Sequence, residues 1–340
     1  MRRPKILVVG SFVMDTTSRT KVFPAEGQTV LGESYTTAPG GKGANQSMAA
    51  ALLGADVTMV GKVGRDGFGD RLIESLRMAG VNTEHVQRSE EEVSSAIGNV
   101  MVTVDDDGDA INNRIIVIPG ANMKITPEDV AFLETEIADY DFVILQFEIP
   151  MKINEIITEY AYRAGVPIMV NPAPICEIPE MILKHADYIS PNETEASVLL
   201  GCDVNGDRNG FTAAKTDEIR RCMRKKNISR LLITLGKAGA VIITEDDCVF
   251  CESAAGIRAV DPTAAGDSFV GAFCTARCFG FDEADALSFS NMIAAVTVSF
   301  PGAQPSLPTL DKAIEFHEKA GRNVSLLLRM KSLAGNRVLT

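Results

Sequence analysis

The sequence predicts an α/β fold in which a mostly parallel central sheet is covered by helices on both faces and carries a small antiparallel β flap. Three observations predict it. From Thr126 onward strand-like runs alternate with helical segments, the pattern that places crossover helices on the faces of a parallel sheet. The runs Lys5–Val9 and Asp141–Gln146 are almost continuously apolar, as strands buried on both faces are. The early extended stretches Gln28–Ala38 and Ile97–Ile118 have no helix within them, which suits hairpins of a flap. No linker is long enough to separate independent domains.

The 340 residues are 46% hydrophobic and 23% charged, enough to bury a large core. A net charge of −12 argues against a nucleic-acid or anionic-membrane surface as the main partner. No apolar run reaches the length of a membrane span, and the first ten residues read as a strand start rather than a signal peptide. Seven cysteines, an odd number without a disulfide framework, suit a reducing cytoplasm. Cys248-Val-Phe-Cys251 lies in a strand-like run with no second pair to complete a zinc site, and Cys274 and Cys278 share one helix face and read as core.

In order along the chain, Lys5–Val9 is a strand ending at Gly10, and Gly10-Ser11 opens a loop carrying Asp15. An acid just past the carboxyl end of a first strand lies where open α/β sheets bind ligands. After the extended Gln28–Ala38, Pro39-Gly40-Gly41-Lys42-Gly43-Ala44-Asn45 runs into an Ala-rich helix, Gln46–Leu53. Its glycines let the backbone approach a ligand, with Lys42 and Asn45 as donors, or they simply form a turn. The spacing fits neither a P-loop nor a dinucleotide fingerprint. Val57–Val63 is a strand, Gly64–Gly67 turns into a helix ending near Gly80, and Ile97–Val104 and Ile111–Ile118 flank the acidic run Asp105–Asp109. That run fails an EF-hand frame and reads as a solvated hairpin turn.

Thr126 N-caps a helix with Pro127 at its first position. Strand Asp141–Gln146 leads to Glu148, then come helix Lys152–Ala164, strand Pro167–Val170 and the breaker Asn171-Pro172-Ala173-Pro174. Tyr188–Ser190 precedes a helix start at Asn192–Glu195, and strand Leu231–Thr234 precedes a second glycine loop, Leu235–Gly239. Strands Ala240–Thr244 and Cys248–Glu252 follow, then helices Phe269–Phe279, Asp282–Phe300 and Thr309–Lys319; the remainder to Thr340 reads as a loosely docked tail.

In the stretch Val260–Phe269, two alanines and a glycine (Ala264, Ala265, Gly266) stand at the mouth of a helix. They leave backbone N–H groups uncovered where the helix dipole favours an anion. Asp267 in that place is either a first-turn cap or a carboxylate with proton work to do.

Gly40-Gly41-Lys42-Gly43-Ala44-Asn45-Gln46, Asn171-Pro172-Ala173-Pro174, Pro191-Asn192-Glu193-Thr194-Glu195-Ala196, Thr234-Leu235-Gly236, Ala264-Ala265-Gly266-Asp267 and Gly302-Ala303-Gln304-Pro305-Ser306 together closely resemble the ribokinases of the PfkB carbohydrate-kinase family. The resemblance is collinear from about Lys5 to Leu310. It implies a three-layer α/β/α ribokinase-like fold over residues 1–310, with lid segments near 12–39 and 94–120, and a C-terminal helix and tail over 311–340. It also implies ATP-dependent phosphorylation of a pentose at its 5-hydroxyl, magnesium on the phosphates, potassium nearby, and a cytoplasmic homodimer paired through the lid sheets.

Residue by residue, the resemblance implies that Asp267 is the general base and that Ala264, Ala265 and Gly266 form the anion hole. Val13, Asp15, Gly41, Lys42, Gly43, Asn45 and Glu148 fall at sugar positions. Asn192 and Glu195 fall at nucleotide and magnesium-water positions, Thr234, Leu235, Gly236, Lys237 and Gly239 in the nucleotide loop, and Asn291 beside the adenine. Asp261, Thr263, Thr297, Phe300, Gly302 and Ser306 fall in the cation loop, with backbone carbonyls as the main ligands. Three departures stand out. Val13 replaces a sugar-binding Asn, which raises 2-deoxyribose, a nucleoside or another furanoid as substrate. Pro262 replaces a Thr and puts the cation preference in question. The turn Asp109–Arg114 is about three residues longer than in relatives and adds a surface arginine. A catalytically silent sugar- or nucleotide-binding regulator would keep the same fold, but the intact Asp267 and anion hole count against it.

Overall fold

A computed structural model describes residues 2–106 and 110–335. Its strands are β1 (Lys5–Val9), β2 (Val13–Thr20), β3 (Ser34–Gly40), β4 (Asp56–Val63), β5 (Val86–Arg88), β6 (Ile97–Val104), β7 (Ala110–Ile118), β8 (Phe142–Gln146), β9 (Ile168–Asn171), β10 (Tyr188–Ile189), β11 (Leu231–Thr234), β12 (Ala240–Ile243) and β13 (Cys248–Cys251). Nine of them form the central sheet in the order β13-β12-β11-β10-β9-β8-β1-β4-β5. The pairs from β5 to β11 are parallel, and only β11–β12 and β12–β13 are antiparallel.

Both faces of this sheet are buried, which explains the unbroken apolar runs. Successive side chains of a strand point to opposite faces. Ile6 and Val8 of β1 accordingly join one core while Leu7 and Val9 join the other, and β8 divides Phe142 and Ile144 from Val143 and Leu145 in the same way. Helices Lys42–Leu52, Ala265–Cys278, Glu283–Thr297 and Leu310–Lys319 fill the first face; Met151–Ala164, Glu193–Leu200 and Ala213–Lys225 fill the second. The result is three layers, α/β/α. Cys274 is fully buried in the first core, and Cys248 and Cys251 belong to the edge strand β13. Among the described residues no helix is long and apolar enough to cross a membrane.

A second sheet has the order β3-β2-β6-β7. It is not purely antiparallel, because β2 and β6 run parallel. Strand β2, Val13–Thr20, stands where the sequence suggests a loop: its residues are largely polar, so no apolar alternation announces it. The extended stretch expected over Gln28–Ala38 becomes a strand only at Ser34. Of the acidic turn Asp105–Asp109, residues 107–109 lie outside the described residues; beside it, Lys21 Nζ donates to the Asp105 carbonyl at 2.6 Å. Arg114 stacks over the Phe23 ring at 4.3 Å.

Two helices begin earlier than the sequence pattern suggests. One opens at Lys42 after Gly41 (φ 95°), and the other at Ala265 after Ala264 (φ 60°). Neither N-cap residue supplies a side-chain cap, so the usual start signal is missing. At Lys42 the first N–H groups are taken instead by Glu148 and Ser11 from elsewhere in the chain, whereas beside Ala265 the Gly266 N–H has no acceptor among the described residues. Helix Ala213–Lys225, capped by Thr212, was not legible in its polar sequence.

The tail is corrected more strongly. Ser325–Ala334 is a helix, not a loose end: Leu327 and Met330 are fully buried in the first core, and Ala334 packs so closely on Gly54 that a Cβ there would stand 2.6 Å from the Ala334 Cβ. Deleting a buried leucine side chain removes transfer energy and leaves a cavity. Leu327→Ala is therefore expected to lower unfolding free energy by about 2–5 kcal/mol in urea titrations, against no measurable loss for a tail that does not dock.

Candidate active site

The first turns of helices Lys42–Leu52 and Ala265–Cys278 meet at Asp267. This carboxylate is buried, 7% exposed, and held by two amides: Asn45 Nδ2 donates to Oδ2 at 2.8 Å and Gln46 Nε2 to Oδ1 at 3.0 Å. Gln46 is itself fixed, accepting from Gln146 Nε2 at 2.7 Å and donating to Asn171 Oδ1 at 3.1 Å. Asn171 in turn donates to the Ser190 carbonyl at 2.7 Å. Each carboxylate oxygen of Asp267 thus accepts one amide hydrogen and keeps lone-pair capacity for another donor. Beside it, the N–H groups of Ala264 and Gly266 have no acceptor among the described residues, whereas the Ala265 N–H is taken by the Pro262 carbonyl at 3.2 Å. Two of the three expected anion-hole donors are therefore open.

On one side of Asp267 lies a cleft of about 750 Å³. Lys42, Asn192, Glu195, Thr234, Lys237, Ala264, Gly266 and Asn291 are among its walls, with Gly236 and Gly239 in the turn between β11 and β12. Leu235, expected in this wall, is instead a core residue at 5% exposure; its N–H bonds the Gly239 carbonyl at 2.8 Å and thereby closes the turn. Asn192 and Glu195 form a capping box, each side chain accepting from the other's backbone N–H at 2.8–2.9 Å. Asn291 Nδ2 donates to the Cys251 carbonyl at 3.0 Å and so ties the end of β13 to the cleft.

Two more carboxylates, Asp15 and Glu148, stand close enough to each other and to Asp267 to interact. Glu148 Oε2 accepts from Ser11 Oγ at 2.5 Å and from the Lys42 N–H at 3.0 Å, so it caps the helix that Lys42 opens. Asp15 lies on β2 with Val13 on the same face of the strand, and no donor among the described residues reaches its carboxylate. Gly40 and Gly98 wall it in: a Cβ on either would stand within 2.8 Å of an Asp15 oxygen. Burial, then the charges of Glu148, Asp261 and Asp267, push the Asp15 pKa up to about 6. Lys42 feels the opposite balance: burial opposes its charge, but Asp267, Glu148 and Glu195 outweigh it and raise its pKa.

The glycines of the loop also make room for backbone. A Cβ at Gly43 would lie 2.5 Å from the Ser11 nitrogen, and one at Gly41 2.6 Å from that of Val13. They let the helix mouth press onto the chain leaving β1, which is what brings Glu148 and Lys42 together. Ser11, Gln46 and Gln146 carry no local signal as site residues; Gln46 and Gln146 stand beside Asn45 and Glu148 in the chain, and Ser11 stands in the loop that leads to Asp15.

The proposed cation loop is partly assembled. Asp261 Oδ1 accepts from the Thr263 N–H at 2.9 Å and hydroxyl at 2.6 Å, and Oδ2 from the Gly302 N–H at 2.8 Å. These bonds outweigh burial and lower the Asp261 pKa. The Thr297 and Ser306 hydroxyls are spent on the Ile293 and Ala303 carbonyls, and Phe300 caps its own helix end through its N–H, so these positions offer carbonyls rather than side-chain ligands.

A pfkB family carbohydrate kinase profile matches residues 3–310. The ribokinase of Schizosaccharomyces pombe is 36% identical over 312 residues, 90% of this chain and 95% of that protein. The deoxyribokinase of Salmonella typhi is 31% identical over 317 residues, 92% of this chain and 98% of that protein. Among solved structures, Arabidopsis thaliana ribokinase complexed with ribose and ATP superposes with a TM-score of 0.81 at 29% identity, covering 92% of this chain and 98% of the other.

The raised pKa of Asp15 sets a sign. The unfolded carboxyl ionises near 3.8 and the folded one at about 6, so the native state binds the proton more tightly. Stability from this group is present below about pH 4 and is lost as pH rises through about 6. In urea titrations Asp15→Asn should gain stability relative to the parent across that window and show a constant difference above it; parallel curves throughout would contradict the assigned pKa.

Proposed function

The chain belongs to the pfkB family of carbohydrate kinases and is an ATP-dependent sugar kinase, and we propose that it transfers the γ-phosphoryl of ATP to the 5-hydroxyl of a pentose, D-ribose foremost. The observation that carries this reading is Asp267 in the wall of the cleft, near enough to Asp15 for its charge to raise the Asp15 pKa. Held by Asn45 and Gln46, its carboxylate is aimed before any substrate arrives. Its remaining lone pairs accept the proton of the sugar hydroxyl as the oxygen attacks. The open N–H groups of Ala264 and Gly266, with Lys42, receive charge developing on the transferred phosphoryl. Fixed donors of this kind stabilise the transition state with little reorganisation.

In this reading the cleft takes the nucleotide, with Asn192, Thr234, Gly236, Lys237, Gly239 and Asn291 along it. Magnesium would ride on the phosphates, with Glu195 in the cleft wall reaching its waters. When bound there, it offsets phosphate charge. Potassium would sit on carbonyls of the Asp261–Thr263 and Thr297–Ser306 segments. The small sheet serves as the lid over the sugar. Its edge strand β7 leaves Ile111, Ile115, Ile116, Val117 and Ile118 about half exposed, which supports pairing of two lids in a homodimer.

Val13 favours a second reading, 2-deoxyribose. It shares the face of β2 with Asp15, and a valine leaves a facing hydroxyl without a partner.

Two measurements test the assignment. Asp267→Asn should cut turnover by about 10²–10⁴-fold while ADP affinity is kept; unchanged turnover would remove the base. Val13→Asn should raise the ribose over 2-deoxyribose ratio of kcat/KM roughly 5-fold or more, and an unmoved ratio would take Val13 out of the sugar site.

A further inference from the structure

We propose that Arg322, beyond the segment matched by the family profile, is a positioning residue for the nucleotide cleft. This rests on the reading of the cleft as the ATP site. Residues Ser253, Ala254, Ala255, Gly256, Ile257 and Ala259 make up one wall of that cleft. They form a turn rather than a strand or helix, with Ala255 and Gly256 at its tip. At its start Ser253 Oγ bonds the Lys237 carbonyl at 2.5 Å, and at its end the Val260 N–H bonds the Val298 carbonyl at 2.7 Å. Between these anchors, among the described residues, a single hydrogen bond holds the turn to the rest of the protein: Arg322 Nη2 to the Ala255 carbonyl at 2.8 Å.

The backbone places Arg322 firmly. Helix Leu310–Lys319 ends in a Schellman motif, in which the Gly321 N–H bonds the Glu318 carbonyl at 2.9 Å and the Arg322 N–H bonds the His317 carbonyl at 3.0 Å. Gly321 takes the left-handed conformation this requires, φ 65°. The guanidinium lies 5.8 Å from the centroid of the Phe316 ring, which packs against Phe300, and its Nη1 is buried with no acceptor. The helix Ser325–Ala334 that follows is anchored in the core by Leu327 and Met330. A half-buried cation fixed on both sides of its Cα thus meets a turn with little else to fix it. A charge-assisted bond to a carbonyl is strong, and the unpaired Nη1 favours any position of the turn that brings it a second acceptor. The wall is then set in place before nucleotide enters, and its ordering cost is not taken from binding.

The test is a comparison of Arg322→Ala and Arg322→Lys with the parent protein. Arg322→Ala should raise the Kd for ADP and the KM for ATP roughly 5- to 20-fold, with KM for the sugar and kcat within about 2-fold. Arg322→Lys, which keeps a charge and the stem, should recover most of the affinity. Hydrogen exchange at amides 254–259 should quicken in Arg322→Ala and slow again with ADP. Equal ADP affinity in parent and Arg322→Ala, or equal losses for sugar and nucleotide, would overturn the proposal. A parent that binds no ADP would instead defeat the reading of the cleft. Should Arg322→Ala fail to fold, Arg322→Lys decides: exchange at 254–259 slower than in Arg322→Gln supports the assignment, and identical exchange in the two overturns it.

Discussion

The site depends on how closely two helices approach. Lys42–Leu52 and Ala265–Cys278 touch at Gly271, where a Cβ would lie 2.8 Å from the Gln46 carbonyl and 2.9 Å from the Ala49 Cβ. Any larger residue would push the helices apart. Because they meet at that distance, Asn45 and Gln46 on one reach the carboxylate of Asp267 on the other. The same contact brings two helix N-termini, and the partial positive charge of each, to one point. A carboxylate buried away from water is costly unless it is hydrogen-bonded, and here the packing that buries Asp267 also supplies its two donors.

The electrostatics follow from that geometry. In a protein of net charge −12, Asp15, Glu148, Asp261 and Asp267 are close enough for the other three to raise the pKa of Asp15. What makes the cluster tolerable differs from member to member. Glu148 is satisfied by Ser11 and the Lys42 N–H, Asp261 by Thr263 and Gly302, and Asp267 by two amides. Asp15 alone has no donor among the described residues, walled by Gly40 and Gly98, and its pKa is pushed up to about 6. An acceptor left without a partner beside empty glycine faces suits a hydroxylated ligand: the hydroxyl would donate what the protein withholds.

What the sequence made legible follows the same physics. The buried strands could be read because both faces select apolar residues, and the start of helix Glu193–Leu200 because Asn192 and Glu195 write a capping box. Strand β2 could not, since its Asp15, Thr16, Thr17 and Ser18 look like loop. Nor could the true starts at Lys42 and Ala265, whose N-cap residues, Gly41 and Ala264, have no capping side chain. The glycines near Lys42 mark the right region, but their local pattern does not show that they also admit the backbone of Ser11 and Val13. Gln46 and Gln146 were invisible because their partners lie 221 and 100 residues away, and nothing local marks a side chain that orients another.

The tail shows why local composition is a weak guide to docking. Leu326, Leu327 and Leu328 sit among basic residues, and only the groove beside Gly54 turns that mixture into a helix with one buried face. Docking has a consequence upstream. Once Leu327 and Met330 are anchored, Arg322 has little freedom left, and its bond to Ala255 couples the end of the chain to the wall of the cleft. Residues that bind nothing themselves thus act on a site through the order they impose on it.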